Sequence, residues 1–99
     1  MSIDSDSIAL TRNIAEYLQH VKGGAVTAPA LSSAFHIHPS AVRGCINLAR
    51  TMGIPICATS KGYFYSTNKE DIKATIAHME ERIAKQRNAI IGLKAAIGE

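Results

Sequence analysis

Tryptophan is absent from this 99-residue chain, and aromatic residues make up only 5% of it. Any core must therefore be aliphatic, built from Ile, Leu, Val and Ala. No apolar run approaches the roughly 20 residues that a membrane span needs. The N-terminus, MSIDSDSIAL, carries acids where a secretory signal carries bases and has no apolar centre. The expectation is a chain with no targeting segment, working in the cytoplasm. Cysteine is scarce: Cys45 and Cys57 lie in apolar surroundings and form no CxxC pair. They read as two small buried hydrophobes in a reducing compartment, with a disulfide or a metal site as the alternatives. Also missing are a glycine-rich phosphate loop, a nucleophile–base pair and a carboxylate pair, so neither an enzyme nor a cofactor is expected. Length allows one domain, or one domain with an appendage, and a hydrophobic share of 46% argues for a folded chain.

One further absence is regional. No carboxylate occurs between Glu16 and Glu70, while Lys22, Arg43, Arg50, Lys61 and Lys69 all fall in that stretch. The first sixteen residues are net acidic, and the segment from Glu70 onward balances acids against bases. The net charge of +3 thus originates in the middle of the chain. A surface without carboxylates does not repel phosphate, which points to a nucleic-acid partner.

The order of elements follows from periodicity and punctuation. Ser5 or Asp6 can cap a first helix running to about Val21, with Ile8, Ile14, Ala15, Leu18 and Val21 as its apolar stripe. Lys22-Gly23-Gly24 ends it, and Ala25-Val26-Thr27 is short and extended. Thr27 caps a second helix through Phe35, with Pro29 in its first turn. His36-Ile37-His38 is a turn. Pro39 opens a third helix to about Met52, anchored by Val42, Cys45, Ile46 and Ala49, and Gly53 stops it. Ile54–Ala58 alternates as a strand with Ile54, Ile56 and Ala58 on one face. Residues 59–62 form a turn, and Tyr63–Ser66 is the returning strand. Thr67 and Glu70 have capping-box spacing and start a long last helix.

A short helix, a three-residue turn and an anchored second helix make a helix-turn-helix, whose second helix enters the DNA major groove. With its anchors facing the core, that helix presents Ser40, Arg43, Gly44, Asn47 and Arg50. Arg pairs bidentately with guanine, Asn with adenine, and glycine permits close approach of the backbone. Ser40 and free amides at the helix start suit a phosphate. Lys61, at the hairpin tip, suits a further phosphate contact. His36 and His38 flank the turn as phosphate-side or solvent residues. As a zinc set with the two cysteines they match no common module, and no metal is expected.

The run His38-Pro39-Ser40-Ala41-Val42-Arg43, with Gly53-Ile54-Pro55-Ile56 and Lys61-Gly62-Tyr63, resembles the winged helix at the N-terminus of biotin-repressor-type regulators. Similar modules are common in small bacterial and phage regulators. The resemblance covers roughly residues 8–66 and implies DNA binding by the third helix and the wing, with Ser40, Arg43, Asn47 and Lys61 as contacts. The chain departs from the pattern in two ways: no effector domain follows, and Gly44 stands where a larger side chain is usual.

In the last helix, apolar residues step by four and three through Ile72, Ile76, Met79, Ile83, Gln86, Ile90, Leu93 and Ile97, with Gln86 as the one polar break. This is a heptad seam, with Ile76, Ile83, Ile90 and Ile97 at a and the others at d. Such a stripe seeks a partner, and β-branched residues at every a favour a homo-dimer. Arg82 at g would face Arg87 at e of a parallel partner, and Ile91, Ala84, Ala89 and Ala96 widen the apolar face. An antiparallel pair or a tetramer therefore stays open.

The expected fold is mostly α with a small β-hairpin: a winged helix-turn-helix over 6–66, then a coiled-coil oligomerisation helix over 68–98. The expected function is sequence-specific binding of double-stranded DNA by a transcriptional regulator acting as an oligomer, with no membrane role. The alternatives are a replication-origin, DNA-packaging or architectural protein of a mobile element, or a winged-helix adaptor that binds protein.

Overall fold

The structure, a computed structural model, describes residues 5–99. The opening residues of the acidic N-terminus, Asp4 among them, lie outside that range, so the targeting expectation rests partly on residues not described. Four helices and one hairpin follow in the order α1 (Ser5–His20), α2 (Ala28–Phe35), α3 (Pro39–Thr51), β1 (Ile56–Thr59), β2 (Gly62–Tyr65) and α4 (Lys69–Ala96). This is the mostly helical architecture with a small antiparallel hairpin that the sequence leads one to expect, a winged helix-turn-helix with a long helix appended.

The core is aliphatic. Ile14, Ala15 and Leu18 of α1 meet Leu31 of α2, Val42, Cys45, Ile46 and Ala49 of α3, and Ile56 of β1. Those α3 residues recur every three or four positions, so burying them fixes which side of the helix faces solvent. At the edge of the core the Tyr17 ring meets Phe35 edge-on, with centroids 5.6 Å apart, fastening α2 to α1. Val21 falls just past the end of α1, and Thr11 occupies a core position that the apolar stripe did not foretell; its buried hydroxyl has no partner among the described residues.

Local caps set most boundaries. Thr27 accepts a hydrogen bond from the Ala30 amide at 3.2 Å and starts α2 as expected. α2 ends on His36, whose backbone is left-handed with φ 55°. Ser32 Oγ then donates to the Ile37 carbonyl and fixes the turn. α3 ends at Thr51, one residue short of expectation, because Met52 serves as its C-cap.

The first strand starts two residues and ends one residue later than expected, and the second lies one residue earlier. Pro55 has no amide to give to a ladder, and the Ile54 amide is taken by Ala49 O at 3.0 Å as the chain leaves α3. Pairing therefore begins at Ile56, which faces Tyr65, and closes with Thr59 opposite Gly62 around Ser60-Lys61. Ile54, Ile56 and Ala58 do not form a simple buried face. Ile56 and its neighbour Cys57 are both buried, Ile56 in the main core and Cys57 beside α4 residues Ile72, Thr75 and Met79. Both cysteines are free thiols in apolar sites.

A third strand segment completes the wing. Val26 and Tyr63 exchange two backbone hydrogen bonds of 2.8 Å each, forming an antiparallel bridge between the α1–α2 connection and β2. Gly62 makes this possible. A Cβ there would lie 2.6 Å from the Val26 carbonyl carbon and oxygen and 2.8 Å from the Thr27 nitrogen, and its φ of +128° is hostile to any other residue.

The start of α4 corrects the capping-box expectation. Asn68, not Thr67, is the N-cap, its Oδ1 accepting from the Glu70 amide at 2.8 Å. Ser66 Oγ accepts from the Asn68 amide and donates to Asp71 Oδ2 at 2.7 Å. The first turns of α4 pack on β1. There Thr75 is buried, its Oγ1 donating to Asp71 O and accepting from the Ala58 amide at 3.2 Å. From Glu80 onward every residue is exposed.

Because only glycine fits where β2 meets Val26, Gly62→Ala should destabilise the fold by about 2–4 kcal/mol. Urea denaturation measures this. A loss within about 0.5 kcal/mol, the usual range for a surface change, would show that the close approach is not needed.

Candidate nucleic-acid interface

α3 presents Arg43, Gly44 and Asn47 to solvent, on the side away from its buried anchors. Asn47 lies one helical turn from Arg43, so the two side chains are neighbours. No heavy atom outside its own stretch of helix lies within 4 Å of the Cβ position of Gly44, which leaves open space over this part of the surface. Lys61 is exposed in the two-residue turn at the hairpin tip, on a separate element, with its amide bonded to Thr59 Oγ1 at 3.2 Å.

The N-terminus of α3 differs from expectation. His38 is its N-cap: Nδ1 accepts from the Ser40 amide at 3.1 Å. The Ser40 hydroxyl donates to the same nitrogen at 2.8 Å. The amides of Ala41 and Val42 both bond to His38 O, at 2.9 and 3.2 Å, and Pro39 has none. The amides expected to be free for a phosphate are thus engaged within the turn, and so is the Ser40 proton. His38 is a structural cap, a role that the sequence signals by a polar residue directly before Pro39.

Arg50 also departs from the exposed set. It lies two turns beyond Arg43 on the same side of α3, but there the chain doubles back onto the helix. Its Nε donates to Ile56 O at 2.8 Å, and its guanidinium carbon stands 5.9 Å from the centre of the Tyr63 ring. Its Nη2 is buried without a partner among the described residues. Burial pushes the guanidinium below the usual arginine value, the neighbouring Tyr63 and Cys57 oppose this, and Arg82 adds to it. Arg50 thus joins α3 to the wing.

The heptad residues divide into two groups. Ile72 and Met79 are half-covered by their own β1 and the Gly53–Cys57 segment. Ile76, Ile83 and Ile90 are about half exposed, and Leu93 and Ile97 more so at 69% and 73%. Gln86 is exposed as well. Along α4 the seam passes from the domain surface into open solvent. Sequence reasoning missed Thr75, a polar residue inside this stripe, whose signal is its i+3 spacing from Ile72.

Among the described residues no helix is long and apolar enough to cross a membrane, and no group of three His, Cys, Asp or Glu is placed to hold a metal ion. Comparison with known proteins adds little. No family model matches the chain, and no curated protein matches it. Among solved structures, the chain is similar to a GntR family transcriptional regulator from Listeria monocytogenes, with 14% identity and a TM-score of 0.48, over 99% of this chain and 87% of that one.

Removing the imidazole acceptor by His38→Ala should cost about 1 kcal/mol of stability, the usual price of an N-cap, whereas His38→Asn should restore most of it. Equal stability of wild type and His38→Ala in urea would show that the cap contributes nothing.

Proposed function

We propose that this chain is a sequence-specific double-stranded DNA-binding protein, a transcriptional regulator that works in the cytoplasm as a homo-dimer. Residues 6–66 are the DNA-binding unit, and the helix over 68–98 is the oligomerisation element. The observation that carries the reading is the exposed, carboxylate-free face of α3, where Arg43, Gly44 and Asn47 stand out from a helix whose opposite side is locked into the core. Guanidinium and carboxamide groups one turn apart are the donors that read guanine and adenine edges, and the gap over Gly44 lets the helix backbone approach the groove. Lys61 adds a phosphate contact from the wing. Ser40 donates its hydroxyl to a phosphate on release from His38, and Arg50 acts by holding the wing against α3.

Arg43→Ala and Asn47→Ala should each cost about 1–3 kcal/mol of specific binding and relax base preference. Lys61→Ala should weaken binding to all sequences alike and lower the salt slope by about one. Fluorescence anisotropy on duplexes selected from genomic fragments measures all three. Unchanged affinity and preference in both α3 variants would remove this helix from the readout.

Support for self-association lies in the isoleucines of α4, of which Ile76, Ile83 and Ile90 are about half exposed and Ile97 more so. Ile83→Asp puts a charge in mid-seam and should give monomers whose winged helix remains folded. DNA affinity should then fall steeply, since two linked modules act at a high effective concentration. A wild type that sediments as a monomer at tens of micromolar would overturn this part of the proposal.

A further inference from the structure

Between the wing and α4 lies a cleft of about 320 Å³, lined by none of Arg43, Gly44 and Asn47. Arg50 lines it from α3, His78 and Arg82 from α4, Ser60 and Tyr63 from the wing, and Thr27 from the cap of α2. Every polar group in that set can donate a hydrogen bond, and no carboxylate lines the cleft.

Two features of this arrangement favour an anion. Arg50 holds a guanidinium nitrogen, Nη2, that is buried and has no hydrogen-bond partner among the described residues. A buried donor left unpaired is unfavourable, and more so on a charged group. Arg82 is close enough for its charge to act unfavourably on Arg50, and among the described residues it makes no ion pair; the one salt bridge there joins Lys85 to Glu81. Two guanidinium side chains thus line one cleft that no carboxylate lines. An oxyanion in the cleft would be attracted by both, since guanidinium donors match phosphate and carboxylate oxygens in pairs. The volume lies at the small end of the range for ligand pockets, which suits an anionic metabolite-sized molecule.

We propose that the cleft between the wing and α4 is a binding site for a small oxyanion, held by Arg50 and Arg82 with further donors from Ser60, Thr27 and His78. The anion bridges the wing and α4, so its binding stiffens the wing against α4. The site does not depend on the DNA-binding reading, because its donors are not those of the α3 face, apart from Arg50, which that reading already assigns to holding the wing.

The test is an amide-resolved NMR titration of the full chain with inorganic phosphate, against sodium chloride at matched ionic strength. Saturable shifts confined to residues 58–63 and 75–82 are expected with phosphate and not with chloride. Arg82→Gln, an exposed position that should leave the fold intact, should weaken the phosphate affinity about tenfold or more. Arg50→Met should do the same where it folds. No saturable shift, shifts equal to those in chloride, or an Arg82→Gln variant that binds like the wild type would overturn the proposal. Adding a DNA duplex identifies the source of the oxyanion: phosphate shifts that persist beside bound duplex mark a site for a free anion. Displacement of phosphate by duplex, lost in Arg82→Gln, marks a site for a backbone phosphate. Both of these results uphold oxyanion binding, and the phosphate arm stands even where the chain binds no DNA.

Discussion

The pair of hydrogen bonds between Val26 and Tyr63 holds the rest of the structure in place. A two-stranded hairpin alone is marginal in water. Here the hairpin gains a third strand segment from the α1–α2 connection, and this draws β2 against the helical core. With β2 fixed, the Tyr63 ring lies beside Arg50 and β1 runs under the end of α3. β1 in turn offers the Ala58 amide to Thr75 and so fixes where α4 departs. The order of dependence thus runs from one close backbone approach to the wing, then to Arg50, and then to the last helix.

How much of this was legible in the sequence depended on how local the cause was. Thr27 as a cap, Pro39 at the start of α3 and Gly53 beyond its end are signals within one turn of the boundary they set, and α2 and α3 fall where those residues put them. The hairpin register was not legible in the same way. It depends on the Ile54 amide being taken by Ala49 and on a pairing with Val26, more than thirty residues before β2. The N-cap of α4 turned on a choice between adjacent polar residues, Thr67 and Asn68, which periodicity does not distinguish.

The candidate site was legible to the same degree. Exposure of Arg43, Gly44 and Asn47 follows from burial of their helical neighbours, which a heptad-like count exposes at once. Arg50 has the same angular position as Arg43, so only the path of the chain after Gly53 reveals that it is covered. Likewise, that Ser40 and its neighbouring amides are engaged follows from a histidine acting as a cap, a role for which asparagine, aspartate and serine are the usual residues. The cleft beside α4 joins residues from four separate stretches of chain and has no sequence signature.

α4 leaves the domain with no linker between the turns that dock on β1 and those that project into solvent. One uninterrupted helix of 28 residues therefore carries an angular phase as well as a length. Each residue advances about 1.5 Å and turns about 100°, so the direction of Ile90 and Ile97 is set rigidly by the seating of Thr75. Deleting or inserting one residue after Met79 would barely change how far the helix reaches. It would, however, swing the whole projecting stripe by more than a quarter turn about the axis, as a screw cut one thread out of phase fails to meet its nut.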